Sequence, residues 1–251
     1  MRNIRLIARI DVKNDFVIKG IHLEGLRKIG DPNKMAVKYY KEGIDEIIFM
    51  DVVASLYGRN NLFHIIEKAC NDVFIPITVG GGLRSIQDIE MALKSGADKV
   101  AINTGAIKKP QLVTEAAKNF GSQCIVGSIE AKKKNGSWEA YINNGRETTE
   151  KDAIEWAKQI EDLGAGEIFI TSVDREGTRK GFDIDLIKRI MDVVSIPVIA
   201  CGGGGRLEHI KDLIFDSNVD AVALASVLHY DDYSIREIKG FLSTNNIQIR
   251  T

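Results

Sequence analysis

The chain has 251 residues, with 34 Lys and Arg against 35 Asp and Glu, and a net charge of −1 at pH 7. This balance argues against a protein that holds nucleic acid or an anionic membrane through its overall charge, and no run approaches the roughly eighteen apolar residues of a membrane span. Cys70, Cys124 and Cys201 are widely spaced and form no metal-binding motif. They predict reduced thiols in a cytoplasmic protein without a disulfide framework or metal site. No motif predicts a cofactor.

Short runs rich in Ile and Val alternate with segments of helical period, which is typical of repeated βα units around a parallel sheet. Eight strands are predicted, at Ile4–Ile10, Glu46–Met50, Ile75–Val79, Lys99–Ile102, Gln123–Ser128, Glu167–Thr171, Val198–Ala200 and Ala221–Leu224. Helices are predicted to begin at Asp31-Pro32, Ser85 and Lys109-Pro110, where capping residues or proline precede a periodic segment. Eight such units favour a (β/α)8 TIM barrel in one domain, 1–251.

The sequence repeats itself about 120 positions apart. Arg9–Lys13 matches Ser128–Lys132, and Ile75–Gly82 matches Ile196–Gly203. Because further matches follow in the same order, the barrel is predicted to consist of two half-barrels, about 1–121 and 122–251. An open doubly wound sheet is the alternative, but it shares only the local pattern and not the two-fold repeat.

Two insertions interrupt the pattern, and each follows a strand that ends in a carboxylate. Asn14–Gly30 is predicted to be a long polar loop, and Lys132–Thr149 contains a predicted short hairpin at Trp138–Ile142. The loops after the strands build the active face of such barrels, so a long loop there is typical of a lid. A tolerated surface insertion is the alternative.

Asp11 and Glu130 occupy equivalent positions in the two halves, at the ends of the first and fifth predicted strands. A barrel places these ends across its mouth from each other. Two carboxylates in different environments can divide the roles of general acid and general base, which predicts a catalytic pair. The alternative is that each caps a helix or pairs with a nearby lysine. Asp51 and Asp174, which end the second and sixth strands, are candidates for hydrogen bonds to a substrate.

Glycine-rich turns follow the third and seventh predicted strands, at Gly80–Gly82 and Gly202–Gly205. Glycine lets backbone N–H groups approach a phosphate closely. Asn103-Thr104 and Ala225-Ser226 would form the second wall of each site, just past the fourth and eighth strands, where barrels commonly bind phosphate. A lone glycine run is usually only a turn. The symmetric pair predicts two phosphate sites at opposite rims and a substrate with two phosphates.

Four charged residues of alternating sign lie near the starts of predicted strands, namely Arg5, Glu46, Lys99 and Glu167. Charges at a barrel floor are costly unless they are paired. For an arbitrary barrel, the pattern therefore predicts a stabilising ring of ion pairs.

Seven motifs follow one another in a fixed order along essentially the whole chain. They are Asp11-Val12-Lys13, Gly30-Asp31-Pro32, Val79–Gly82, Gly96–Val100, Ile102-Asn103-Thr104, Phe120–Gln123 and Asp174–Thr178. This set closely resembles the HisF family, the cyclase subunits of imidazole glycerol phosphate synthase in histidine biosynthesis. The resemblance implies that a glutaminase subunit, HisH, docks on the barrel floor and delivers ammonia through the barrel. Ammonia would react with a phosphoribulosyl-formimino-aminoimidazole-carboxamide ribonucleotide, which has a phosphate at each end. The products would be imidazole glycerol phosphate and aminoimidazole carboxamide ribotide.

The resemblance also implies roles for single residues. Asp11 is one catalytic acid or base, Glu130 takes the place of the other, and Lys19 lies on the lid. Asp98 lies at the glutaminase interface. The implied ammonia gate consists of Arg5, Glu46, Lys99 and Glu167. One phosphate is implied at Gly82, Asn103 and Thr104, and the other at Gly177, Gly203, Ala225 and Ser226.

Two residues depart from the family pattern, Arg9 in place of a small residue and Glu130 in place of an aspartate. Strict alternation along the first strand points Arg9 into the barrel beside Asp11, where it needs a partner among Asp11, Asp51 and Glu130. Both changes resemble HisF-like paralogs that pass ammonia to an amidating enzyme of surface-polysaccharide or nucleotide-sugar biosynthesis. A third hypothesis is a non-catalytic barrel that activates a glutaminase and conducts its ammonia. The two phosphate motifs favour the cyclase.

Overall fold

The structure is a computed structural model that describes residues 3–54 and 62–250. Its parallel strands are β1 (Arg5–Lys13), β4 (Glu46–Asp51), β5 (Ile77–Gly80), β6 (Lys99–Ile102), β7 (Ile125–Lys134), β10 (Glu167–Ser172), β11 (Val198–Cys201) and β12 (Ala221–Leu224). They pair in this order, and β12 pairs with β1 to close the cylinder. The predicted (β/α)8 barrel is confirmed, with strand bounds that differ mainly at β1, β5 and β7.

Helices connect the barrel strands in the described parts of the chain. They span Pro32–Glu42, Phe63–Ala69, Ile86–Lys94, Thr104–Lys108, Gln111–Phe120, Ala153–Asp162, Ile184–Val193, Leu207–Ser217, Ser226–His229 and Ile235–Thr244. The predicted helix starts are confirmed: Asp31 accepts a hydrogen bond from the Lys34 N–H at 2.9 Å, and Ser85 forms a capping box with Asp88. None of the helices described here has the length and apolar character that crossing a bilayer requires.

Both insertions are antiparallel extensions of the barrel sheet. β2 (Phe16–Ile21) and β3 (Glu24–Gly30) form a hairpin after β1, which we call the lid hairpin. The prediction of a long loop over Asn14–Gly30 is therefore wrong, because Val17 and Ile18 are buried and draw this polar segment into strand pairing. After β7, β8 (Ser137–Ile142) and β9 (Glu147–Asp152) extend the sheet. The prediction of a short hairpin within Trp138–Ile142 is wrong, because this segment is a single strand that pairs with β7 on one side and β9 on the other.

Alternation along β1 separates an outer core from the barrel lumen. Leu6, Ala8 and Ile10 belong to the outer core between sheet and helices, whereas Ile7 belongs to a separate inner cluster with Phe169. Each large apolar side chain buried in this way stabilises the fold by about 1.5–3 kcal/mol. Arg5, Arg9 and Asp11 share the face of Ile7, so charged side chains lie below and above the apolar lumen.

Candidate active site

The two predicted catalytic carboxylates reach the barrel mouth from opposite sides. Asp11 lies near the end of β1 and Glu130 lies on β7, the first and fifth strands of the eight. Both side chains are buried, with exposed fractions of 4% for Asp11 and 6% for Glu130. We call this end of the barrel, where the strands terminate, the active face.

Asp11 lies in a cationic environment. The Arg9 Nε–H donates to Asp11 Oδ1 at 2.7 Å, and Lys19 Nζ lies 3.9 Å from Asp11 Oδ2. Burial by itself would raise the pKa of Asp11, but the charges of Arg9 and Lys19 outweigh it and hold the pKa below its ordinary value. Asp11 is therefore an ionised carboxylate at neutral pH, which is the form that accepts a proton.

Glu130 lies in a different environment. Its Oε2 accepts hydrogen bonds from Asn103 Nδ2 at 3.0 Å and from the Gly145 N–H at 2.8 Å. Burial raises the pKa of Glu130 to about 7, against the opposing effects of the Arg9 charge and the Gly145 hydrogen bond. Glu130 therefore carries a proton in a large fraction of molecules near neutral pH and can donate it. Two carboxyl groups with opposite pKa shifts are suited to acid and base roles at one site.

The first predicted anion site, Gly82, Asn103 and Thr104, lines a cavity of about 330 Å3. Asp51 and Glu130 line the same cavity. The side chain of Asn103 is held by its bonds to Glu130 and to the Tyr141 carbonyl oxygen, at 3.0 Å each. Its Oδ1 is buried and has no hydrogen-bond partner among the described residues. The cavity thus offers a fixed hydrogen-bond acceptor, Asn103 Oδ1, close to the Glu130 carboxyl group.

Three basic residues at the first anion site were missed by the sequence analysis. Arg84, Lys108 and Lys109 line the cavity together with the glycine turn. Gly81 in that turn has φ +99°, and a Cβ there would lie 2.2 Å from the Asp51 carbonyl oxygen, so the tight turn requires glycine. The positions of Arg84, two residues after Gly82, and of the Lys108-Lys109 pair after Thr104 were the available signal.

The residues of the second predicted anion site lie together, but little empty space remains between them. Gly177, Gly203, Ala225 and Ser226 together line a cavity of only about 10 Å3. A Cβ on Gly203 would lie 2.1 Å from the Gly181 carbonyl oxygen, and one on Gly177 would lie 2.3 Å from that of Gly20. Gly20 belongs to the lid hairpin, so the hairpin packs directly against this site. A cavity of about 590 Å3 beside it is lined by Lys19, Gly177 and Ser226, with Arg27 and Arg179.

The lid hairpin lies over the mouth and contacts it through several residues. Lys19 forms a buried ion pair with Glu176, and the His22 N–H donates to the Glu176 carbonyl oxygen at 2.8 Å. Asn144, which follows β8, donates from Nδ2 to the Leu23 carbonyl oxygen at 3.3 Å. Glu176 was missed as a functional residue, although it lies within the quoted Asp174–Thr178 motif. The lid hairpin brings Lys19 close to Asp11, which the sequence alone did not predict.

The other two predicted aspartates differ in their surroundings. Asp51 Oδ1 accepts hydrogen bonds from the Val53 and Ala54 N–H groups at 3.0 and 2.9 Å, and the residue lines the first cavity. Asp174 is exposed, and its Oδ2 accepts a hydrogen bond from the Lys133 N–H at 2.7 Å. Contact of either residue with substrate stays a prediction.

The predicted ring of ion pairs at the floor is confirmed. Arg5 donates to Glu46 at 2.8 Å and also to Glu167, while Lys99 donates to the same two carboxylates at 3.1 and 2.9 Å. We call these four residues the floor ring. Asp98 is exposed beside it and accepts the Ile77 N–H at 2.8 Å. A role of the floor ring in ammonia passage stays a prediction.

Comparison with known proteins identifies the family of the chain. Residues 5–234 match the family described as "Histidine biosynthesis protein". The chain is 59% identical over 209 residues to the imidazole glycerol phosphate synthase subunit HisF of Legionella pneumophila, and the match covers 83% of this chain and 99% of that protein. The chain therefore belongs to the histidine biosynthesis protein family and is a HisF-type member of it.

Proposed function

We propose that the protein is the cyclase subunit of imidazole glycerol phosphate synthase and acts as a lyase in histidine biosynthesis. It uses ammonia to convert the phosphoribulosyl-formimino-aminoimidazole-carboxamide ribonucleotide into imidazole glycerol phosphate and aminoimidazole carboxamide ribotide. Support comes from the HisF relative, which matches along nearly its whole length, and from the two glycine-lined sites on either side of the carboxylates. The two sites suit a substrate with a phosphate at each end.

The observation that carries the proposal is the contrast between the surroundings of two buried carboxyl groups at the barrel mouth: Asp11 lies against Arg9 and Lys19, whereas Glu130 accepts hydrogen bonds from Asn103 and the Gly145 N–H. An incoming amine must lose protons as it forms new bonds to carbon, and each departing oxygen or nitrogen must gain one. The ionised Asp11 accepts a proton, whereas Glu130, whose pKa is raised to about 7 by burial, donates one. Asn103 supports the donor, because it holds Glu130 and lines the first cavity.

The proposal includes a glutaminase partner, HisH-like, on the floor of the barrel. The floor ring would then act as the ammonia gate, because its four members form a ring of ion pairs at the end of the barrel opposite the active face. Asp98 is available to a partner, because its side chain is exposed beside Lys99. Such a protein functions in the cytoplasm, where its three free cysteines stay reduced.

The proposal can be tested by genetic complementation. A bacterial strain that lacks its own cyclase subunit should grow without histidine when it expresses this chain and receives excess ammonium salt, which removes the need for a matched glutaminase. The Asp11→Asn variant at equal abundance is the control and should not support growth. A strain that grows only with added histidine while the wild-type chain is abundant and folded would contradict the proposal.

Arg9 and Glu130 favour a second candidate, the paralog that supplies ammonia to sugar amidation. Under that hypothesis, Arg9→Cys with Glu130→Asp removes a buried cation and shortens the second carboxylate, and should raise turnover of the ribonucleotide by roughly tenfold, or about 1.4 kcal/mol. A true cyclase should instead lose activity, because Asp11 has lost its ion-pair partner. If the wild-type protein is inactive and the double variant does not restore turnover, the third hypothesis is favoured, a non-catalytic barrel that activates a glutaminase and conducts its ammonia.

A further inference from the structure

Arg9 is an unusual residue for the lumen of a small barrel. Its side chain is 1% exposed and is among the largest fully buried side chains of the described residues. The apolar lumen lies directly below it, and the guanidinium carbon is 5.5 Å from the centre of the Phe169 ring. A buried guanidinium is costly unless charge and hydrogen bonds compensate it.

The compensating contacts lie on three different strands. On its own strand, β1, the Nε–H of Arg9 donates to Asp11 Oδ1 at 2.7 Å. Within the lumen, Nη1 donates to Thr171 Oγ1 of β10 at 3.0 Å and to Cys201 Sγ of β11 at 3.5 Å. β10 and β11 are the sixth and seventh strands of the barrel and do not pair with β1, so the Arg9 side chain bonds strands that β1 itself does not contact through the sheet.

We propose that Arg9 is a positioning residue for Asp11. Arg9 holds the Asp11 carboxylate in one orientation because its guanidinium is itself fixed by hydrogen bonds to Thr171 and Cys201. The role rests on the proposed function, because it prepares Asp11 as the base. A planar guanidinium suits this positioning role, since its Nε–H binds the Asp11 carboxylate while its Nη1 is bonded to Thr171 and Cys201. Arg9 has the shape to fix the direction of the carboxylate, and its charge keeps the carboxylate ionised.

Other charged groups around Asp11 set the background for this role. Lys19 of the lid hairpin and His229 of the helix after β12 face Asp11, and Glu130 faces it from β7. Burial lowers the pKa of His229 to about 3, so it is neutral at physiological pH. Lys19 lies 3.9 Å from Asp11 and is paired with Glu176, whereas Arg9 bonds Asp11 directly. Arg9 is therefore the cation with the larger effect on the carboxylate.

Two substitutions separate the effect of the Arg9 charge from the effect of its hydrogen-bonding geometry. Arg9→Met removes the charge and should raise the pKa of Asp11, because the carboxylate loses its nearest opposite charge and stays buried. Arg9→Lys keeps the charge but cannot bond Asp11 and Thr171 as one planar fork. In Arg9→Lys the pKa of Asp11 should stay low while kcat falls about tenfold or more, because catalytic groups tolerate little misplacement. KM should change little.

The experiment combines a carbon-13 NMR titration of labelled aspartates, assigned with Asp11→Asn, with ammonium-driven turnover at fixed free ammonia. Thr171→Val is the matched control: it should leave the pKa of Asp11 low and lower kcat less than Arg9→Lys does. An unchanged pKa in Arg9→Met, or wild-type kcat in Arg9→Lys, would overturn the proposal. If Arg9→Met fails to fold, Arg9→Lys alone decides. Wild type without turnover, but with an Asp11 pKa that responds to Arg9→Met, would refute the proposed function and leave the charge effect standing.

Discussion

Replacement of Glu130 by glutamine should stabilise the protein, relative to wild type, at alkaline pH but not at acidic pH. Glu130 is buried, and its pKa rises from 4.5 to about 7 on folding. A carboxyl group with a raised pKa contributes stability that is fully present below its unfolded pKa and is lost as the pH rises through its folded pKa. The stability that the protonated Glu130 contributes is therefore lost between about pH 4.5 and about pH 7. A glutamine keeps an acceptor for Asn103 and Gly145 and does not titrate.

The expected size follows from the same shift. The change in pKa corresponds to about 3 kcal/mol, since one pKa unit is worth about 1.4 kcal/mol. The assay is urea unfolding of wild type and Glu130→Gln across this pH range, with the difference in unfolding free energy plotted against pH. That difference should grow by about 3 kcal/mol in favour of the variant between pH 4 and pH 8. A difference that stays flat would refute the assignment of Glu130 as a proton donor at neutral pH.

Three further predictions concern Asp11, the two anion sites and the floor ring. Asp11→Asn keeps the shape of the side chain but not its charge. If Asp11 is a catalytic base, turnover in a steady-state assay should fall by about 10²-fold or more, and a loss below twofold would exclude that role. Crystals grown in phosphate should hold an anion beside Gly82. A second anion should lie beside Gly203 only if the lid hairpin has moved away from Gly177. Two empty sites with ordered loops would count against a bisphosphate substrate. Lys99→Ala should uncouple glutamine hydrolysis from product formation and preserve ammonium-driven turnover, whereas a purely structural floor ring would make both activities fall together with the melting temperature.

The barrel could be predicted from the sequence because its signals are local. Each barrel strand is a short apolar run between helix caps, and the repeat of about 120 residues indicated two equivalent halves. The same repeat led to Asp11, Glu130 and the paired glycine turns. The organisation of one domain into half-barrels at 1–121 and 122–251 stays a prediction, although a sheet extension after both β1 and β7 is consistent with it.

The contacts that set the chemistry were less accessible to sequence reasoning. Alternation along β1 correctly placed Arg9 and Asp11 on one face, but it left three candidate partners for Arg9. Thr171 and Cys201 lie 162 and 192 positions away from Arg9, and only the closed barrel brings them together. Lys19 and Glu176 likewise meet because the lid hairpin folds over the mouth. The pKa of Glu130 depends on burial, which no local pattern encodes.

The most direct test of the central claim is steady-state turnover of the formimino ribonucleotide by the purified chain alone, with excess ammonium salt at alkaline pH. Free ammonia then replaces the glutaminase, so the measurement depends only on the active face. We expect imidazole glycerol phosphate and aminoimidazole carboxamide ribotide in equal amounts, at a rate that Asp11→Asn lowers by about 10²-fold. Folded protein that binds the ribonucleotide but releases neither product would contradict the claim that this barrel is a cyclase.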